Sequence, residues 1–349
     1  MTLPKRAHPR PLDFAHGRVD LGHGGGGRAM AQLVEELFVA AFDNPALSQR
    51  NDQAAFEVPA GRMVMTTDGY VIHPLFFPGG DIGSLAVHGT VNDVAMAGAR
   101  PLSLSAGFII EEGFPLADLR RVVESMARAS KEAGVPVVTG DTKVVERGKG
   151  DGIFITTAGI GMVPPGVEIS GERARPGDAI LISGTMGDHG VAVMSCREGL
   201  EFETDLTSDS AALHTLVAAM VAVAPGIRCL RDPTRGGLSA TLNELAAQSK
   251  VGMRIHEAAI PVRPEVRGAC ELLGLDPLHV ANEGKLICVC PPEDAATLLT
   301  AMRAHPLGGD SALIGHCQAD PHHFVQMETA LGGQRVVDWL TGEQLPRIC

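Results

Sequence analysis

Short apolar segments that each lead into a glycine- and aspartate-containing turn are the feature that most limits what this chain can fold into. Residues 62–67 form a methionine-rich, β-branched segment that leads into Thr67-Asp68-Gly69, and residues 135–139 lead into Gly140-Asp141-Thr142-Lys143. Between them, residues 84–98 and 114–134 have helical character. Strands that alternate with helices in this way predict a mixed α/β chain.

The length of 349 residues is enough for two domains with separate cores. We place the boundary in the turn-forming stretch 171–177, which gives domains of residues 1–173 and 174–330 and a C-terminal tail of residues 331–349. Chain ends are seldom ordered and Pro346 cannot continue a helix, so the tail is expected to be extended and flexible. Further strands are predicted at residues 102–110, 153–161, 179–183, 286–290, 312–317, 324–327 and 335–338, and further helices at 190–199 and 238–248.

Composition excludes several classes of protein. The net charge of −12 argues against the basic face of a nucleic-acid-binding protein, and one Trp and one Tyr provide no platform for stacking bases. No apolar run approaches the ~20 residues of a membrane-spanning helix, and residues 1–11 lack the apolar core of a secretory signal. Seven cysteines without close spacing fit reduced thiols in the cytoplasm. Cys288 and Cys290 are expected to be small buried hydrophobes rather than metal ligands.

Three aspartates and their neighbours form the first candidate site. Asp68 and Asp141 follow predicted strands, and Asp93 lies beside Asn92 among small apolar residues of a predicted helix. Burying a carboxylate without a partner is costly, so Asp93 is expected to face a cation or a cleft, with a structural cap or salt bridge as the alternative. Mg²⁺ is usually held by a few carboxylates together with phosphate and water, and Lys143 suits a phosphate. These residues predict a magnesium–nucleotide site.

Two glycine-rich loops are candidates for binding phosphate, because the N–H groups at the start of a helix attract anions. The first, His23-Gly24-Gly25-Gly26-Gly27-Arg28, precedes the amphipathic stretch 33–41 and matches neither a Walker A loop nor a dinucleotide fingerprint. A flexible loop is an equally good interpretation of it. The second, residues 231–237, includes Asp232 and Arg235 and precedes the predicted helix 238–248. A tight turn with an Asp–Arg ion pair is its alternative interpretation.

Glu283 and Cys349 are the candidates for the chemistry itself. Glu283 lies between Asn282 and Gly284 just before the predicted buried strand 286–290, where a carboxylate can act as a general base. A solvated turn is the alternative. Cys349 ends the predicted flexible tail, and a thiol at a mobile tip can carry a group from one surface to another. A frayed terminus without function is the alternative interpretation.

Taken together, these segments resemble the HypE family of hydrogenase maturation proteins, within the wider ATP-binding family of aminoimidazole ribonucleotide synthetase and selenophosphate synthetase. The terminal Pro346-Arg347-Ile348-Cys349 is the specific feature, and the aspartate loops are shared by the wider family. The resemblance implies two α/β domains, the second an α/β sandwich, and a homodimer in which the N-terminal sheets close a barrel. It implies that a HypF-like carbamoyltransferase loads the terminal cysteine, that ATP and Mg²⁺ drive dehydration to a thiocyanate, and that cyanide passes to iron on a HypC–HypD complex.

This resemblance assigns roles to the candidate residues. Cys349 would be the covalent carrier, and the base that removes the N–H protons would be Glu283 or Lys143, a choice that stays open. Metal ligands would be Asp68, Asp93 and Asp141, and the residues expected to bind the nucleotide are Gly24, Gly25, Gly26, Gly27, Asp68, Asn92, Asp93, Asp141, Thr142 and Arg235. Two other functions remain: an ATP-dependent kinase or synthetase for a free small molecule, and a scaffold that docks through its tail when nucleotide binds.

Overall fold

The computed structural model describes residues 10–25, 27–49, 53–55, 57, 60–198, 206–339 and 347–349. Gly26 and residues 340–346, which include Pro346, lie outside this part of the chain. The strands are β1 (Arg62–Tyr70), β2 (Phe76–Phe77), β3 (Gly80–Asp81), β4 (Arg100–Glu111), β5 (Val137–Val145), β6 (Ile153–Val163), β7 (Ala179–Ile182), β8 (Cys229–Arg231), β9 (Gly252–His256), β10 (Ile287–Cys290), β11 (Ala312–Gln318), β12 (Val325–Glu328) and β13 (Gln334–Val336).

The helices include the amphipathic segment predicted after the first glycine loop. This segment comprises two α-helices joined by a π-helical stretch, Val34–Val39, and short 3₁₀ turns occur at Leu21–Gly24, Glu257–Ala259 and Pro277–His279. The α-helices are α1 (Arg28–Leu33), α2 (Ala40–Phe42), α3 (Pro45–Ser48), α4 (Ile82–Met96), α5 (Leu116–Ala133), α6 (Asp188–Glu198), α7 (His214–Val223), α8 (Gly237–Ser249), α9 (Pro264–Leu273) and α10 (Ala295–Ala304).

The first domain is built on a sheet in which the described strands have the order β1–β6–β4–β5. β1 and β4 run antiparallel to β6, and β5 runs parallel to β4. Helices α4 and α5 cover one face, where Leu85 and Val122 are buried with Leu104. The other face, which we call the open face, exposes Met65 and Ile109. A sheet with one covered face explains why apolar residues alternate along these strands.

Two strands of this sheet are longer than the sequence predicts, which corrects the expectation that acidic turns follow them. β1 continues through Asp68 to Tyr70 and β5 continues through Asp141 to Val145. Tyr70 is 1% exposed and its hydroxyl bonds that of Thr90, so burial extends the first strand. In the second strand, a Cβ on Gly140 would lie 2.4 Å from the carbonyl oxygen of Ala106. Glycine therefore permits close strand packing here and does not mark a turn.

The second domain is built on a mixed sheet in which the described strands have the order β13–β12–β9–β11–β7–β10–β8. Cys288 and Cys290 are buried in β10, as expected. β9, α9 and α10 are not predicted from the sequence. Because β13 pairs with β12, the predicted tail of residues 331–349 begins inside this sheet, and Arg347, Ile348 and Cys349 are docked on the first domain.

The two domains meet along α4. Ala95 and Met96 at the end of this helix pack in one apolar cluster with Leu213, Leu216 and Leu286 of the second domain. The loop that carries Glu283 also contacts α4, because the Glu283 carbonyl accepts a hydrogen bond from Asn92 at 3.2 Å, and Asn282 joins this loop to that of Asp232 through the carbonyl of Pro233. In the described residues, no helix has the length and apolar character needed to cross a membrane.

Candidate active site between the two domains

The chain terminus lies between the domains, held by its backbone carbonyls. The N–H of Val71 donates to a carboxylate oxygen of Cys349 at 3.0 Å, and the N–H of His73 donates to the carbonyl of Arg347 at 3.2 Å. Ile348, between them, forms an antiparallel bridge with Ile72. The end of the tail thus extends the segment that follows β1 and places the terminal thiol near Asp68 on that strand.

The side chains of the tail anchor it in different ways. Ile348 is 3% exposed and belongs to the core of the first domain. Arg347 has φ of +56°, a left-handed conformation that turns the chain, and its guanidinium pairs with Asp151. Arg347 therefore docks the tail, and its charge is not among the main influences on the thiol.

Glu283 is fixed by the backbone around it, while its carboxylate oxygen Oε1 has no hydrogen-bond partner among the described residues. Its N–H donates to Oδ1 of Asp209 at 3.0 Å, and its carbonyl accepts from Nδ2 of Asn92 at 3.2 Å. A Cβ on Gly284 would lie 1.7 Å from the carbonyl oxygen of Asp209, so only glycine fits after Glu283. Oε1 of Glu283 is buried and, within the part of the chain that the structure describes, accepts no hydrogen bond. An unpaired buried carboxyl is costly, which is typical of a functional group.

A cluster of carboxyl groups surrounds Glu283, and we call Asp68, Asp93, Asp232, Glu283 and Cys349 the interdomain pocket. Burial, followed by the charges of Asp232, Asp209, Asp68 and Asp93, raises the pKa of Glu283 well above its usual value. Burial and the charge of Asp93 raise the pKa of Asp232 to about 7. Burial and the charge of Asp68 likewise raise the pKa of Asp93, which accepts a hydrogen bond from Thr66 at 2.9 Å. The pocket concentrates negative charge in a poorly solvated space.

The same surroundings act on the terminal thiol. Burial raises the pKa of Cys349 strongly, and the neighbouring carboxylate of Glu283 raises it further, against the opposing charge of Arg235. The docked thiol is therefore protonated at neutral pH, and a protonated thiol is a poor nucleophile. The surroundings of the docked thiol are predominantly acidic.

Asn92 and Arg235, both predicted to bind the nucleotide, occupy different positions. Asn92 is 1% exposed and bonds only backbone groups among its described contacts: its amide donates to the carbonyls of Ala211 and Glu283 and its oxygen accepts from the N–H of Leu213. It positions Glu283 across the domain boundary. Arg235 is exposed and acts on the thiol through its charge. Direct contact of either residue with nucleotide stays a prediction.

Asp141, Thr142 and Lys143 lie away from the interdomain pocket, on β5. Asp68 and Gly140 are in register across β6 and β4, so two strands, or about 14 Å, separate them, and Asp141 points to the open face, opposite Asp68. Lys143 pairs with Asp141 at 2.7 Å and, first among the causes, lowers the pKa of that carboxyl. One chain does not bring Asp141 to Asp68 and Asp93, or Lys143 to the thiol.

The first glycine loop also lies at β5. A Cβ on Gly24 would be 2.5 Å from the backbone nitrogen of Val144, so this glycine packs directly on the strand. Gly25 follows the 3₁₀ turn, and Gly27 is the N-cap of α1. We call Gly24, Gly25, Gly27 and residues 141–143 the β5-edge site. Its predicted role in nucleotide binding stays a prediction.

Several residues of the pocket were not singled out as site residues by the sequence. Asp232 had been interpreted as part of a phosphate loop or an Asp–Arg turn, but Arg231 pairs with Glu244 instead. Asp209 holds the N–H of Glu283 and pairs with Lys285 at 3.2 Å. Asp209 and Asp232 both lie far from Glu283 along the chain, so the residues around Glu283 do not indicate either position.

Comparison with known proteins identifies the family to which the chain belongs. The family models described as AIR synthase related protein, N-terminal and C-terminal domain, match residues 50–163 and 175–328. The carbamoyl dehydratase HypE of Cupriavidus necator is 69% identical over 346 residues, 99% of either chain. A crystal structure of hydrogenase maturation protein HypE in complex with ATP shares 54% identity, with a TM-score of 0.91 over 94% of this chain and 99% of that one. A crystal structure of a HypE–HypF complex shares 49% identity, with a TM-score of 0.78 over 88% and 99%.

Two mixed α/β domains with an acidic pocket between them define the class of protein: the chain is an AIR synthase related protein. Within that class it belongs to the HypE family of carbamoyl dehydratases, the family that its terminal residues had indicated.

Proposed function

We propose that this enzyme uses ATP to dehydrate an S-carboxamide on its own Cys349 to a thiocyanate, and that the cyanide then passes to iron in nickel–iron hydrogenase maturation. The observation that carries the proposal is the docked terminus, which brings the thiol within electrostatic reach of the buried carboxyl of Glu283, whose Oε1 has no hydrogen-bond partner among the described residues. The relative solved with ATP supports the nucleotide. A free small molecule would not need this docking.

The reaction requires a leaving group and a base. Transfer of the γ-phosphoryl group to the carboxamide oxygen replaces a poor leaving group by phosphate, and one N–H proton is lost as the C=N bond forms. Loss of the second N–H proton and cleavage of the C–O bond then release phosphate and leave the S–C≡N group. Both protons have to be taken up within the pocket, where the solvent is largely excluded.

We propose Glu283 as the base. Its carboxyl is buried and its charge raises the pKa of the Cys349 thiol, whereas Lys143 lies on β5 and pairs with Asp141. A raised pKa brings a carboxylate towards the range in which it accepts protons efficiently at neutral pH. The positive charge of Mg²⁺ bound together with the nucleotide would favour the ionised form of the Glu283 carboxyl, which is the form that a base requires.

The carboxyl groups of the pocket fit a hard cation by their chemistry. Burial and the charge of Asp68 raise the pKa of Asp93, burial and the charge of Asp93 raise that of Asp232, and Mg²⁺ prefers such oxygen ligands together with phosphate. Among the described residues, no group of three acidic, cysteine or histidine side chains is already arranged around a metal position. We propose that these aspartates would hold Mg²⁺ only with nucleotide, where it would neutralise phosphate charge.

The tail is proposed to work in two positions. In the docked position the thiol is protonated, so the carbamoyl group has to be accepted while the tail is released into solvent. A HypF-like carbamoyltransferase is the proposed donor, supported by the relative solved as a HypE–HypF complex. Release after dehydration would then present the thiocyanate to the HypC–HypD iron complex.

A homodimer is proposed to complete the site. The open face exposes Met63, Met65 and Ile109 at 55%, 71% and 45%, an apolar surface that a second copy would cover when two sheets close a barrel. Such closure joins the edge strands of different subunits. We propose that the β5-edge site, with Asp141 and Lys143, thereby meets the interdomain pocket of another subunit and contributes to nucleotide binding.

Mass spectrometry of the terminal peptide tests the proposed reaction. Protein carbamoylated by its transferase should lose one water from this peptide when ATP and Mg²⁺ are added, and a non-hydrolysable ATP analogue is the control. Cys349→Ala should accept no carbamoyl group and remain folded, since a terminal truncation removes little burial. An unchanged peptide mass after ATP has been consumed would count against the proposal.

A further inference from the structure

His189 lies where the tail enters the interdomain pocket, and its ring contacts the tail directly. The residue is in the first turn of α6 and is fully buried. Nε2 lies 2.9 Å from the carbonyl oxygen of Ile348. A carbonyl only accepts, so Nε2 must carry the proton and donate. The bond therefore joins the second domain to the residue that immediately precedes the reacting cysteine.

The ring of His189 is held in this orientation from two further sides. Nδ1 lies 2.8 Å from the hydroxyl oxygen of Ser208; because Nε2 carries the proton, Nδ1 accepts and the hydroxyl donates. Ser208 is itself fixed by its N–H, which donates to the carbonyl of Pro78 at 2.8 Å. The ring of Phe77 meets the imidazole edge-on, with centroids 5.5 Å apart. The donor is thus preorganised for a carbonyl at one position.

We propose that His189 is a positioning residue that holds the Ile348 carbonyl and so keeps the loaded Cys349 in place beside Glu283. The other backbone bonds of the tail come from the segment that follows β1 and from Arg197, which donates to the carbonyls of His73 and Arg347. His189 provides the described hydrogen bond by which α6 holds Ile348, the residue before the cysteine. This role rests on the proposed function only for the dehydration step; docking itself is testable without catalysis.

The thiol provides a direct measure of docking. In the docked tail Cys349 is half-buried and protonated, so alkylation by iodoacetamide reports the released fraction. Cys196 is exposed and the remaining cysteines are buried, so all variants are made in a Cys196→Ser protein, the parent, in which fast labelling is limited to the terminus. The rate is followed on the terminal peptide by mass spectrometry, with the midpoint of thermal unfolding measured for each variant.

His189→Phe keeps a ring against Phe77 but removes the donor, and we expect Cys349 to be alkylated about tenfold faster. His189→Gln restores a donor near the Nε2 position and should label within about twofold of the parent. His88→Phe is the matched control, because His88 is largely buried and bonds Ser210 at 2.9 Å in the same way but has no described contact with the tail. It should label at the parent rate.

Ser208→Ala gives a milder second test, since it frees the ring without removing the donor, and about threefold faster labelling is expected. Parent rates in both His189→Phe and Ser208→Ala would overturn the proposal, and so would an equal acceleration in His88→Phe. With carbamoylated protein, His189→Phe should slow loss of water about tenfold while carbamoyl acceptance is not reduced. If the parent itself loses no water, the proposed function fails and the labelling result still decides the role of His189.

Discussion

Truncation of the tail's apolar anchor, Ile348→Ala, should release the terminus without unfolding the protein. Ile348 is 3% exposed within the core of the first domain. Truncating a buried isoleucine to alanine usually destabilises the folded state by about 2–5 kcal/mol. For the docking of this tail we take the lower end, about 2 kcal/mol, because water can fill the space left at a chain end. At 1.4 kcal/mol per factor of ten, the docking equilibrium should weaken about thirtyfold.

Hydrogen–deuterium exchange measures this equilibrium at two amides. The N–H groups of Val71 and His73 donate to the tail, so their exchange requires the tail to leave. In Ile348→Ala both should exchange about thirtyfold faster, while amides of β4 and β6 should be unaffected. Val336→Ala is the matched control, because this aliphatic side chain is 52% exposed on β13. Unchanged exchange at Val71 and His73 would refute the inference that Ile348 anchors the tail.

Three further predictions address the base, the thiol and the open face. Glu283→Gln should slow dehydration by about 10²–10⁴-fold and leave carbamoyl acceptance intact, measured on the terminal peptide; equal dehydration rates would remove Glu283 as the base. The pKa of Cys349 is raised when docked, so docking is favoured while the thiol is protonated and weakens as pH rises above the ordinary thiol pKa of about 8.5. Protection of the Val71 amide, corrected for intrinsic exchange, should therefore fall above that pH, and Cys349→Ser should abolish this dependence; the same fall in both proteins would contradict it. Met65→Lys places a charge on the open face and should convert the proposed dimer to monomer in light scattering; a persistent dimer would show that another surface mediates association.

The local sequence predicts much of the first domain. Helices α4 and α5 begin and end within a few residues of their expected positions, and for α5 the boundary signals are Pro115 and Gly134. The strand lengths of β1 and β5 were wrong for a reason that is not local. Gly69 and Gly140 look like turn residues, yet Tyr70 is buried and Gly140 packs on Ala106, contacts made by distant segments.

The composition of the interdomain pocket was only partly predictable. The charges of Asp68 and Asp93 act on Glu283, and that of Glu283 acts on Cys349, although these residues come from widely separated parts of the chain. Asp141 had seemed equivalent to Asp68, but strand order places it at the opposite edge and on the other face, and local sequence does not determine strand order. Asp232 was predicted to lie in a phosphate-binding loop or to pair with a neighbouring arginine, but the adjacent Arg231 pairs with Glu244.

Infrared spectroscopy of a ¹³C-labelled carbamoyl group on Cys349 follows the dehydration itself. We expect a nitrile band to appear after ATP and Mg²⁺ are added to the wild-type protein, and to be absent or strongly delayed in Glu283→Gln carrying the same label. A nitrile band that forms at the same rate in both proteins, or in neither, would contradict the claim that the docked cysteine loses water beside Glu283.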